Sequence, residues 1–448
     1  MKGWCPLKLL LSSILVCLFG LSVTIANAKN LLEIYQLGLD NDSALRAAAA
    51  KRLAALEVRP QSHAMLLPVL TASANYADNR NEILSSDSRV FQPQTVFFIT
   101  KGYSLSLTQP IYNREYFVQQ KQADALVNGA NADYAAAQQD LIIRVAEAYF
   151  NILGAMDNLA FVQADKKAIQ RQLDQAKQRF EVGLIAITDV HESQAAYDDA
   201  VAREIEAENL LSNTREDLRV ITGRRHEHLS ILAGQVPLIK PEPADIERWS
   251  ETARQQNFSV IAGEYHVQSA REEVERRRSG HYPTLDLTGS HRYLDQDDSA
   301  FGGGSETNDS SVGLVLNLPI FQGGAVSSKV RAARHLLDQA SDELEQRRRD
   351  ILRQTRNSYL NVLAGIETVK ARKQAVISAQ SALDATEAGL EVGTRTTVDV
   401  LDVRQNLLKS ERDLARSRYN YILDTLRLKQ AAGSLSPDDL KPVNAWLH

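Results

Sequence analysis

The chain has 448 residues, a formal charge of -5 and two cysteines, Cys5 and Cys17, both close to the N-terminus. Lys2 and Lys8 precede an apolar run from Leu9 to Ile25 that ends in Ala26-Asn27-Ala28, the pattern of a cleaved secretory leader over residues 1–28. Cleavage removes both cysteines and two lysines, taking the charge from -5 to -7, which excludes disulfide, thiol and zinc-thiolate chemistry and leaves no basic footprint for nucleic acid.

From Lys29 onward, Leu31 to Val58 reads as helix. Leu70, Ala72, Ala74 and Tyr76 then alternate with Thr71, Ser73 and Asn75, the two-residue period of a strand with one polar face. A polar loop from about Asp78 to Thr100 leads to a second such strand, with Tyr103, Leu105 and Leu107 on one face. Asn113 to Phe180 holds no proline and is dense in alanine, so it reads as one helix extending roughly 100 Å. Gly183 turns the chain, and Thr188 to Thr222 returns as a helix half as long. Gly223 to Pro243, with Pro237, Pro241 and Pro243, reads as an equatorial belt shared with the tail after Ala432.

The same order then recurs about 210 residues on, the mark of one unit built twice. A helix from Ala244 to Arg278 precedes strands around Leu285–Leu287 and Val312–Leu318, joined by a polar loop holding Phe301-Gly302-Gly303-Gly304-Ser305. A long helix from Ser327 to Leu390, a turn at Gly393 and a returning helix from Thr396 to Ala432 complete it. Val400, Leu407, Leu414, Tyr421 and Leu428 form a seven-residue packing seam on that last leg. The expected division is a first repeat at 29–243 and a second at 244–448. Each strand reads as about ten residues, the span of a tilted membrane strand, and no later apolar run approaches the roughly 20 residues of a spanning helix. Four strands cannot close a barrel, because open edges are not tolerated in lipid. Copies must therefore join; physics alone allows a dimer of about eight strands as well as a trimer of about twelve.

Three blocks, Phe180-Glu181-Val182-Gly183-Leu184-Ile185-Ala186-Ile187-Thr188-Asp189-Val190, Leu318-Pro319-Ile320-Phe321-Gln322-Gly323-Gly324 and Val392-Gly393-Thr394-Arg395-Thr396-Thr397-Val398-Asp399-Val400-Leu401-Asp402, closely resemble the TolC-type outer-membrane channels of Gram-negative bacteria. The resemblance spans nearly the whole mature chain. It implies a mostly α-helical chain with membrane β-strands, a homotrimeric outer-membrane barrel with four strands per chain, and a long α-helical barrel of coiled-coil hairpins reaching into the periplasm. It further implies an exit duct for drugs or secreted proteins, a periplasmic adaptor protein, and an inner-membrane transporter of the RND, ABC or MFS kind, with no cofactor and no catalysis. Asp399 and Asp402 correspond to an acidic ring at the periplasmic entrance. Arg395, Thr188, Asp189 and Gln178 correspond to a latch between hairpins, while Gly183 and Gly393 mark the hairpin tips. Leu390 stands where a relative carries a tyrosine whose hydroxyl helps hold the tunnel shut, and leucine cannot donate that bond.

Two other classes compete. His226-Glu227-His228 could suggest a metal enzyme, but no third ligand lies at a recognisable spacing. A periplasmic adaptor also uses long hairpins, although the resemblance gives adaptors one hairpin and this chain has two.

Overall fold

The computed structural model describes residues 28–87, 93–234, 236–299 and 302–447. All but Ala28 of the expected leader, with Cys5 and Cys17, lies outside these residues, as does part of each strand-joining loop. Three helices open the chain: α1 (Leu31–Asn41), α2 (Ser43–Leu56) and α3 (Val58–Ala64). The hairpin β1 (Val69–Ile83) and β2 (Gln94–Asn113) follows, then α4 (Arg114–Glu181) and α5 (Ile187–Thr222). The order repeats with α6 (Ile246–Gln256), α7 (Phe258–Arg278), β3 (Thr284–Gln296), β4 (Ser305–Asn317), α8 (Ala325–Glu391), α9 (Thr397–Ala431) and a short α10 (Leu440–Asn444).

The four strands form one antiparallel sheet in chain order, β1-β2-β3-β4. Their register sorts the side chains by face. Leu70, Leu107, Gly289 and Val312 lie in one row, Ala72, Leu105, His291 and Ser310 in the next, and Ala74, Tyr103, Tyr293 and Asn308 in the third. Tyr103 and Tyr293 stack at 5.5 Å, and the following row carries a Lys101–Asp295 ion pair at 3.0 Å. A face led by leucine, alanine and valine on β1, β2 and the lower part of β4, passing through His291 and Ser310 to aromatic rings and then charge, fits a bilayer boundary. The opposite face is hydroxyl-lined: Ser73 bonds Ser104 and Ser290 bonds Ser311, both at 2.8 Å. β1 and β4 are both edges, and every residue of β4 is exposed.

The strands run longer than the ten residues expected: β1 has 15, β2 has 20, and β3 and β4 have 13 each. The excess in β1 is polar, from Asp78 to Glu82, and pairs with Ile99 to Thr95 of β2. Antiparallel pairing satisfies those backbone groups in water without an apolar face, so periodicity gives no sign of it.

The two long helices, 68 and 67 residues, are the spine. α2, α3 and α5 lie along α4, α6 and α9 lie along α8, and α7 packs between α4 and α8. The shorter helices meet end to end. α5 ends at Gly223 beside Asn41, where Asp42 both closes α1 and caps α2; α9 ends at Gly433 against Gln256, where Asn257 closes α6 and caps α7. The two junctions share one backbone shape, φ/ψ -66/119 at Asp42 and -67/120 at Asn257. Around this level the main core gathers Leu31, Ile34, Tyr149, Phe150, Leu218 and Ile422. The belt segment and the C-terminal tail are joined there, by a Leu232–Leu447 bridge and by Ala233 N–H donating to Trp446 O at 2.8 Å.

Candidate functional site: the hairpin tips

Both long helices end in the same kind of turn. Gly183 and Gly393 take φ of +75° and +78°, the left-handed region a side chain resists, and each closes its helix by donating to a carbonyl three residues back. Leu184 N–H reaches Arg179 O and Thr394 N–H reaches Gly389 O, both at 2.9 Å.

The returning legs start differently. Thr396 caps α9: its backbone N–H and hydroxyl donate to the Asp399 carboxylate at 2.8 and 2.9 Å, and Asp399 N–H donates to the Thr396 hydroxyl at 3.2 Å. These bonds, the backbone one foremost, with Arg395 nearby, hold the Asp399 carboxyl below its ordinary pKa, so it is ionised at neutral pH. Ala186, in the equivalent place on α5, offers no side-chain cap. Asp402, one turn along, is exposed and makes no bond or ion pair among the described residues. The two carboxylates therefore share a face, but one shapes the helix start and the other is free.

Arg395 is exposed, its stem lying so close to Gly389 that a Cβ there would sit 2.7 Å from Arg395 Cγ. Within one chain its guanidinium bonds none of Thr188, Asp189 and Gln178; Thr188 is exposed and Asp189 half-buried in the first turn of α5. Gln178 lines an open groove of about 830 Å³ between the two hairpins, with Gln172, Arg179, Leu390 and Arg404. Leu390 packs against the small apolar cluster of Leu383, Val400 and Leu407, so its role here is packing. The polar tie across the groove comes instead from Gln172, whose amide donates to Thr397 O at 3.5 Å.

Sequence reading missed the charges above this point. Asp165 on α4 is 6% exposed and accepts from Arg203 of α5 at 3.3 Å; Arg404 of α9 pairs with Glu387 of α8. Burial raises the Asp165 pKa, offset in part by Arg203 and Arg404. No local motif marks these residues, because each partner is remote in sequence. His226, weighed as a metal ligand, is buried with Nε2 3.1 Å from the Thr222 hydroxyl, while His228 is exposed.

The chain superposes on the Campylobacter jejuni CmeC outer membrane channel with a TM-score of 0.78, covering 93% of this chain and 89% of that one at 18% identity. The fold is therefore that of an outer-membrane channel subunit, a membrane sheet continued by helical hairpins. In sequence it is 41% identical to outer membrane protein TolC of Vibrio cholerae over 94% of both chains, and 28% identical to the proteases secretion protein PrtF of Dickeya chrysanthemi over 97% of this chain and 94% of that one. Residues 34–224 and 249–434 match the outer membrane efflux protein family, and the chain belongs to it. It is an outer-membrane channel of the efflux and type I secretion class, reaching into the periplasm, and not an enzyme. The adaptor alternative finds no support among these relatives.

Proposed function

We propose that three copies close into one conduit, each edge β1 pairing with a neighbour's β4 to give about twelve strands, with the hydroxyl face lining the water path. The observation that carries this is the sheet itself, apolar on one face and open at both edges. Each copy is read as a leader at 1–28 and two repeats, 29–243 and 244–448, so that six hairpins form the periplasmic tunnel. At rest the tips close it. Arg395, whose guanidinium makes no hydrogen bond or ion pair among the described residues, reaches Thr188 and Asp189 of the adjoining hairpin, and Gln178 lines the same seam. Asp399 and Asp402 from three copies make a ring of carboxylates that draws cations to the entrance. A periplasmic adaptor, coupled to an RND, ABC or MFS transporter, opens the tips and supplies the energy; the duct itself is passive. Drugs are one cargo, and the kinship to a protease secretion protein makes exported proteins another.

The test is the purified mature protein in planar bilayers, with its mass determined by crosslinking. Expected are a three-chain species, a small cation-preferring conductance, a larger conductance for Arg395→Ser, and a weaker cation preference for the Asp399→Asn/Asp402→Asn pair. A soluble monomer without conductance overturns the reading, and an Arg395→Ser channel matching its parent removes the latch.

A further inference from the structure

Two contacts between α4 and α9, and one facing pair of opposite charges without a direct ion pair, share one antiparallel register. Phe150 stacks on Tyr419 at 5.5 Å. Fifteen residues along α4 and fifteen back along α9, Asp165 stands opposite Arg404; seven further each way, Gln172 bonds Thr397 O at 3.5 Å. α4 and α9 belong to different hairpins, so this seam is one place where the two hairpins of one chain meet.

At the top contact the ring stack is joined by the Tyr419 hydroxyl donating to Asp157 of α4 at 2.6 Å, and the bottom one is a single long hydrogen bond. Between them Arg404 is held on its own hairpin by Glu387 and lines the inter-hairpin groove beside Ala168, within one turn of Asp165. Asp165 is buried and has its own-hairpin partner in Arg203. Arg404 Nε and Arg203 Nη2 are buried without a hydrogen-bond partner among the described residues. A charged cluster left partly unsatisfied adds attraction across the seam, yet costs less to break than a fully bonded one.

We infer that Arg404 is a positioning residue of the gate, fastening the second hairpin to the first through Asp165 at a level above the tips, a tie separate from the tip latch. The inference rests on the proposed gating at the hairpin tips. Opening must part α4 from α9, and that strips Arg404 from Asp165. Removing Arg404 leaves Asp165 with Arg203, so the first hairpin keeps its counter-ion and the fold survives.

The experiment measures, in planar bilayers, the fraction of time spent in the larger-conductance state for the parent, Arg404→Gln, Arg404→Lys, Asp165→Asn and Arg395→Ser. Arg404→Gln and Asp165→Asn are expected to raise the open-to-closed ratio roughly twofold to thirtyfold, the range that residues on a coupled element produce. Arg404→Lys restores most of the closed state, which a residue acting through packing alone would not do. If Arg395→Ser opens the channel while Arg404→Gln and Asp165→Asn match the parent, the inference fails and the gating reading stands. If Arg395→Ser also matches the parent, the failure lies with the tip latch, and a raised ratio in Arg404→Gln still upholds the tie. Equal behaviour of Arg404→Lys and Arg404→Gln overturns the charge-based role.

Discussion

Asp42 is where the first helical junction is pinned to the spine, and replacing it by alanine tests the energetic reading of that collar. Its carboxylate is 4% exposed and accepts from both terminal nitrogens of Arg144, at 2.9 and 2.8 Å, and from Leu45 N–H at 2.7 Å. Breaking a buried ion pair from one side costs about 3 to 5 kcal/mol. The low end applies, since Arg144 keeps Asp140 at 2.7 Å and is itself 29% exposed. About 1 kcal/mol of that belongs to the lost helix cap. A loss near 3 kcal/mol should lower the melting temperature by about 3 °C in a chain of this size. The Arg144 hydrogen bond, chief among the causes, holds the Asp42 pKa below its ordinary value. A carboxyl with a depressed folded pKa stabilises fully above its unfolded value and loses that contribution as pH falls through the folded one. The gap between parent and Asp42→Ala should therefore be complete at pH 7, undiminished at pH 5, and narrower at pH 2. Circular dichroism melts of the detergent-solubilised protein at the three pH values decide it. Equal melting at pH 7, or a gap as wide at pH 2 as at pH 7, would refute the assignment of this energy to the ionised pair.

Leu314, 67% exposed and opposite Leu287, belongs to the lipid face. Leu314→Arg should cost about 2 to 4 kcal/mol in the membrane, whereas Ser311→Arg on the hydroxyl face should assemble normally; protease-resistant protein in outer-membrane fractions reports both. Gly393 has φ +78° and nothing within 4 Å of a built Cβ, so Gly393→Ala should cost only about 1 to 2 kcal/mol of backbone strain. Gly433 at φ +77° would instead press a Cβ to 2.3 Å from Gln256 O, and Gly433→Ala should cost roughly 3 kcal/mol or more, visible as a lower melting temperature and a lower yield.

What could be read from the sequence was whatever has a period. Alternation gave the sheet its faces, and the seven-residue seam was sound, with Val400, Tyr421 and Leu428 each no more than 2% exposed. Gly183 and Gly393 announced the turns because their left-handed backbone favours glycine. What escaped was aperiodic or remote: the polar half of β1, and pairs such as Asp42 with Arg144 or Asp165 with Arg203, whose charges look like ordinary solvated helix faces until the partner helix is placed. Gln178 shows the limit of correspondence, since the amide that actually crosses between hairpins is Gln172, nearly two turns above it.

The distribution of these interactions says which part of the molecule can move. The large core, the buried Asp42–Arg144 pair, and Tyr149 donating to Ser230 O at 2.7 Å all sit at the collar. Toward the tips the second hairpin's buried apolar cluster shrinks to Leu383, Val400 and Leu407, with Leu390 packed on it; α4 keeps Val162, Ile169 and Leu173 buried, and the polar ties there are mostly exposed or partly satisfied. Exposed ion pairs contribute about 0 to 1 kcal/mol each, and regions with few buried apolar contacts open at low cost while the core stays shut. A helical wall built this way yields at its free ends before it yields at its waist. On the proposed gating, a partner binding the tips would need to supply only a few kcal/mol per chain to part α4 from α9 below Tyr419, an amount within reach of protein association and far below that needed to disturb the collar.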